Sequence, residues 1–187
     1  GLVDHPDIDP IICRQEGGAA IMAEAYGKLT GKPGICMVTR GPGATNASAG
    51  VHVAHQDSTP MILLVGQIGR DMVDREAFQE VDYRKMFEPL AKWVGQIDDI
   101  NRIPEYLSHA YHIATSGRPG PVVLALPEDM LSSEAEVADA KPYVPIEAKT
   151  ASEDVARFHN ALNAAKQPVM IVGGGGWTRE TTENLKS

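Results

Sequence analysis

Cysteine is scarce in this sequence, with two residues, and aromatics make up only 5% of it. Two thiols cannot build the disulfide framework of a small secreted domain. Cys13 and Cys36 both sit in apolar runs and read as reduced core thiols of a cytoplasmic protein. No apolar run approaches the roughly 18–20 residues that cross a bilayer, so no membrane partner is expected. Basic residues are outnumbered, 17 Lys and Arg against 25 Asp and Glu, for a net charge of −8. No stripe gathers the cations, which argues against a nucleic-acid surface.

Several catalytic signatures are also lacking. There is no G-x-S-x-G elbow and neither cysteine has a local base beside it, which disfavours a Ser or Cys nucleophile. His52 and His55 lie three apart, as do His109 and His112, but no H-E-x-x-H pattern or third ligand accompanies them. They read as helix-face histidines, and no metal ligand is assigned. Lys32 is followed by Pro33, so residues 27–32 fail as a phosphate loop. After Gly173–Gly176, Thr178 stands where a dinucleotide fingerprint needs its third glycine. That run reads instead as close strand–helix packing.

What is present is a periodic α/β pattern. Apolar runs recur at residues 11–14, 34–39, 61–66, 91–94 and 121–126. Helical segments fall between most of them, at 17–30, 44–56 and 103–116. In the first, Ala19, Met22, Ala23, Tyr26 and Leu29 follow 3- and 4-residue steps and Gly31 marks the stop. Strands alternating with helices predict a parallel sheet covered on both faces. The carboxyl ends of its strands are then the natural ligand edge. The first domain is expected over residues 1–130 and an acidic, proline-containing linker over 131–150. Residues 151–187 read as the start of a second α/β domain. It should comprise a helix capped by Ser152, a strand at 169–172 and a glycine turn. Such a unit cannot bury its own faces, so the sequence reads as part of a longer chain.

Glu16 stands between the first apolar run and a helix of small residues, in "CRQEGGAAIMAEAYGKLTG". Burying a carboxylate there costs several kcal/mol unless something pairs with it. Two readings remain open: a helix cap or ion pair with Arg14 or Arg40, or a carboxylate of raised pKa that handles a proton on a ligand. "RGPGATN", residues 40–46, follows a strand and opens a helix, where free N–H groups favour a hydrogen-bonding ligand.

Taken in order, "CRQEGGAAIMAEAYGKLTGKPGICMVTRGPGATN", "AHQDSTPMILLVGQIGR", "AFQEVDY" and "GRPGPVVLALPED" resemble the pyrimidine-binding domain of thiamine diphosphate enzymes of the acetolactate synthase type. The likeness covers about residues 1–130, and the tail resembles the start of the central domain. It implies that Glu16 is the catalytic carboxylate, hydrogen-bonded to N1′ of the cofactor's aminopyrimidine. It also implies that Pro42 and Asn46 lie against that ring, and that Gln79 faces the reacting centre. Phe78, Gln79, Gly69 and Glu128 then border the substrate channel. The resemblance further implies a C–C bond made or broken next to the carbonyl of a 2-oxo acid or aldehyde. Mg²⁺ would be held by a domain outside this sequence, FAD is a further candidate cofactor, and the protein would self-associate as a dimer or tetramer. This chain by itself should be inactive. Acetolactate synthases usually carry Pro at the position of Gly69 and Lys at that of Glu128. These departures leave aldehyde lyase, oxidative decarboxylase and acyl-CoA decarboxylase chemistry as alternatives. A non-catalytic α/β binding module is the rival outside enzymes.

Overall fold

The computed structural model describes residues 4–186. Four strands, β1 (Gly34–Val38), β2 (Met61–Gln67), β3 (Trp93–Gln96) and β4 (Pro121–Pro127), pair in parallel in the order β1–β2–β4–β3. β2 and β4 are central and match along their whole length, Met61 opposite Pro121 and Gln67 opposite Pro127. Their near-continuous apolar sequence follows from being covered on both faces. Leu63, Val65 and Val123 pack with Ala20, Ala47, Val51 and Ala54 on one side. Ile62, Val122 and Leu124 pack with Ala110 and Ala114 on the other. The expected parallel α/β architecture is therefore present.

Helices α1 (Glu16–Thr30) and α2 (Pro42–Gln56) supply the first layer. After the short helix α3 (Tyr83–Phe87), α4 (Ile103–Thr115) supplies the second. Gln15 caps α1 by accepting a hydrogen bond from the Gly18 N–H at 2.6 Å. Gly31, at φ 70°, closes the helix in the left-handed conformation that the stop signal required. The small residues of α1 let it lie against α2: a Cβ on Gly50 would come within 2.5 Å of Ala20 Cβ. Helix α5 (Glu128–Leu131) follows β4 directly.

Three expectations fail. Residues 11–14 form no strand, and Ile11 and Ile12 are 76% and 90% exposed. A strand needs a ladder partner, and the sheet of described residues offers none to this run. Cys13 is consequently only half-buried, whereas Cys36 is buried, its thiol pushed up to about 11 by desolvation first and then by Cys13 and Glu16. Residues 169–172 likewise form no strand and stand exposed, and Gly173–Gly176 packs no helix on a strand. Finally, Ser152 is the first residue of α6 (Ser152–Ala164) rather than its cap; Ala151 holds that position without a side-chain bond. Residues 132–151 carry no helix or strand, and α7 (Arg179–Lys186) is exposed throughout its described side chains.

Candidate functional site

Arg40, Gly69 and Glu128 follow the carboxyl ends of β1, β2 and β4, three neighbours in the sheet. Glu16 reaches the same edge from the first residue of α1. Its Oε2 accepts a hydrogen bond from Asn46 Nδ2, in the first turns of α2, at 3.1 Å. A Cβ on Gly43 would lie 3.7 Å from its Oε1. Glu16 makes no ion pair among the described residues, Arg40 pairing instead with Glu128, and the side-chain cap of α1 is Gln15, while the Glu16 carboxylate accepts from its own backbone N–H at the helix start. The expected upward pKa shift is not what the geometry gives. The Asn46 amide, and then the backbone N–H of Glu16, hold its carboxyl below the usual carboxylate range, while partial burial opposes them.

The turn beside Glu16 depends on one backbone conformation. Gly41 has φ 62° and ψ −115°, and a Cβ there would sit 2.7 Å from Gln79 Cβ. Its N–H donates to the hydroxyl of buried Tyr83 at 2.8 Å. Burial pushes that phenol up, with the Gly41 N–H and Arg40 pulling the other way. Pro42 then takes the first helical position, where its missing N–H costs nothing.

Gln79 belongs to a strained segment. Asp74, Glu76 and Gln79 have φ of 63°, 52° and 66°, each costing about 1–2 kcal/mol for a residue with a side chain. Ties hold the loop in place. Glu80 accepts from the N–H groups of Asp74 and Ala77 at 2.8 and 3.0 Å. Gln67 Nε2 donates to the Val81 carbonyl at 2.8 Å. Arg40 Nε donates to the Phe78 carbonyl at 3.3 Å, and its Nη1 pairs with Glu128 Oε2 at 2.6 Å. A concavity of about 510 Å³ runs along Asp74, Glu76, Ala77, Gln79 and Glu80; Glu16 and Asn46 do not line it. Gly69 lies beside Glu128, and a Cβ there would be 3.9 Å from its Oε1 and 2.9 Å from Asp71 Oδ1. Arg70 is tied by Nε to Asp129 at 2.7 Å and to the Asp98 carbonyl.

The predicted residues thus form two groups. Glu16, Pro42 and Asn46 stand about the turn, with Gln79 packed on Gly41; Phe78 and Glu128 are bonded to Arg40, and Gly69 lies beside Glu128. Sequence reasoning missed Tyr83, Gln67, Glu80 and the linking role of Arg40. The only signal for the last was an arginine beside a glycine turn. Among the described residues no three His, Cys, Asp or Glu side chains gather to hold a metal ion. No helix there is long and apolar enough to cross a membrane.

Residues 1–86 match the family model described as thiamine pyrophosphate enzyme, N-terminal TPP binding domain. The acetolactate synthase large subunit of Lactococcus lactis is 39% identical over 172 residues, covering 90% of this chain and 30% of the relative. The probable acetolactate synthase large subunit of Methanococcus aeolicus is 37% identical over 180 residues, covering 91% and 30%. For the acetolactate synthase isozyme 3 large subunit of Escherichia coli the figures are 37% over 189 residues, 96% and 32%. The chain spans about a third of the length of these relatives.

Proposed function

We propose, for a chain related through residues 1–86 to the thiamine pyrophosphate enzymes, that this carboxyl edge receives the aminopyrimidine of thiamine diphosphate. The protein would then make or break a C–C bond next to the carbonyl of a 2-oxo acid, as a lyase or transferase. The observation that carries the reading is the pairing of Glu16 with Asn46 at 3.1 Å beside side-chain-free Gly43. A carboxylate and an amide held side by side, next to a glycine packed closely against Thr39, suit a flat heterocycle with ring nitrogens. When bound, that cofactor supplies the carbanion and electron-sink chemistry that protein side chains lack.

The work of this chain's own residues is placement and one proton. Glu16 is a carboxylate that the Asn46 amide holds below the usual range. Covering it with an aromatic ring removes water from the carboxylate, which raises its pKa against the Asn46 bond. It can then share a proton with a ring nitrogen, while Asn46 fixes its orientation. Pro42 and the Tyr83-anchored Gly41 would present a rigid wall to the ring. Gln79, folded over Gly41, faces the space where a substrate carbonyl arrives. Phe78, Gly69 and Glu128 border the approach to it.

On this reading the diphosphate, its Mg²⁺ and any FAD are held outside residues 1–130, with a second copy of the protein completing the site. Residues 131–150 would link this domain to a central one beginning near 151, and the protein would work in the cytoplasm. Gly69 and Glu128, standing where acetolactate synthases usually carry Pro and Lys, leave room for a different 2-oxo acid or an aldehyde, and Glu128 and its neighbour Asp129 are ion-paired with Arg40 and Arg70.

Glu16→Gln in the natural protein that carries this chain tests the assignment. Activity with thiamine diphosphate should fall about 10²–10⁴-fold, the usual loss of a positioned proton-transfer group, with the circular dichroism spectrum unchanged. Full activity in that variant refutes the role of Glu16.

A further inference from the structure

We propose that Arg40 is a positioning residue, a clamp that holds residues 77–82 over the Gly41 turn and so fixes where Phe78 and Gln79 stand relative to Glu16. The proposal rests on the cofactor reading above for its catalytic consequence, though not for its geometry. One guanidinium joins three separate segments. It leaves the chain between β1 and α2, its Nε donates to the Phe78 carbonyl at 3.3 Å, and its Nη1 meets Glu128 at the start of α5 at 2.6 Å. That needs a rigid fork of donors, which lysine lacks.

The loop has need of it. Residues 74–80 include three non-glycine residues in the left-handed region, a conformation that persists only where the surroundings over-determine it. Glu80 secures the amides of Asp74 and Ala77, and Gln67 secures the carbonyl of Val81. The step from Phe78 to Gln79 is closed locally by a turn bond from the Glu80 N–H to the Ala77 carbonyl at 2.9 Å, and the bond from Arg40 ties that turn to the edge of the sheet. The Arg40 side chain is 26% exposed and that of Glu128 58%. An ion pair open to water on one side is weak alone. The inward bond to the carbonyl therefore fixes the loop, and Glu128 serves to aim the guanidinium. Gln79 packs over Gly41, so a shift at Phe78 moves the side chain that faces the substrate.

Hydrogen–deuterium exchange of the natural protein carrying this chain, without added cofactor, reads the clamp directly. In Arg40→Met, exchange over residues 77–82 should rise about tenfold while α1 and α2 exchange as before. Glu128→Gln should raise it less than threefold. The swap R40E/E128R restores opposite charges but offers no donor to the Phe78 carbonyl, so exchange should stay as fast as in R40M. Wild-type exchange in R40M, or its restoration by the swap, overturns the clamp. Where R40M does not fold, the R40E/E128R swap decides by itself: faster exchange over residues 77–82 supports the clamp, and wild-type exchange overturns it. With cofactor and substrate, R40M should lose about tenfold in kcat with a smaller change in KM. Unchanged kcat and KM, in a protein that Glu16→Gln inactivates, overturn the positioning role. If exchange responds as stated but Glu16→Gln is fully active, the cofactor reading fails and the clamp stands.

Discussion

At the scale of single residues, one hydrogen bond governs the chemistry available to Glu16. Asn46 donates to the charged form and so stabilises it. The folded pKa is depressed, so the stability this bond contributes is present above the ordinary value of 4.5 and is lost as pH falls through the lowered folded value. Asn46→Ala should raise the Glu16 pKa back toward 4.5, which a ¹³C NMR titration of the side-chain carboxyl would show. A value that stays depressed would assign the effect to the backbone N–H alone. Glu24 is a second acid that the helix pattern conceals. It is buried on α1 and accepts a hydrogen bond from Thr59 at 3.2 Å. Neither its burial nor its partner could be read from spacing, because Thr59 lies 35 residues away.

Among the elements, α1 and α2 meet through small residues, and this closeness is what brings Glu16 within reach of Asn46. The small residues of the first helical segment pointed to close packing without naming the partner. Gly50→Ala would place a Cβ 2.5 Å from Ala20 Cβ, an overpacking that costs about 1–3 kcal/mol. Urea denaturation should show a lower midpoint at constant slope. An unchanged midpoint would mean that the helices can separate at no cost. Strands were legible where both faces are buried, as in β2 and β4. They were misread at 11–14 and 169–172, where the same apolar composition has no neighbour to pair with. An apolar run records a tendency, and a ladder partner turns it into a strand.

For the whole molecule, the sheet and its two helical layers hold the buried core, while residues 144–186 are exposed wherever they are described. Limited trypsin digestion should cut first between Lys149 and Lys166 and leave a resistant product that retains residues 16–131, seen by mass spectrometry. Early cleavage at Arg40 or Arg70 instead would contradict the clamped edge, since both are tied to neighbouring segments.

The sequence by itself determined the parallel α/β class, the extents of α1, α2 and α4 to within about two residues, and the motif that singles out Glu16, because periodicity, glycine stops and helix-opening turns are local physics. Tertiary structure alone decided that the Asn46 amide donates to Glu16 and lowers its pKa, that Tyr83 anchors Gly41, and that Arg40 bridges Phe78 to Glu128. Each joins residues 30 to 88 positions apart. Such contacts exist only once parallel strands bring their carboxyl ends to one edge. No local pattern encodes which side chains will meet there.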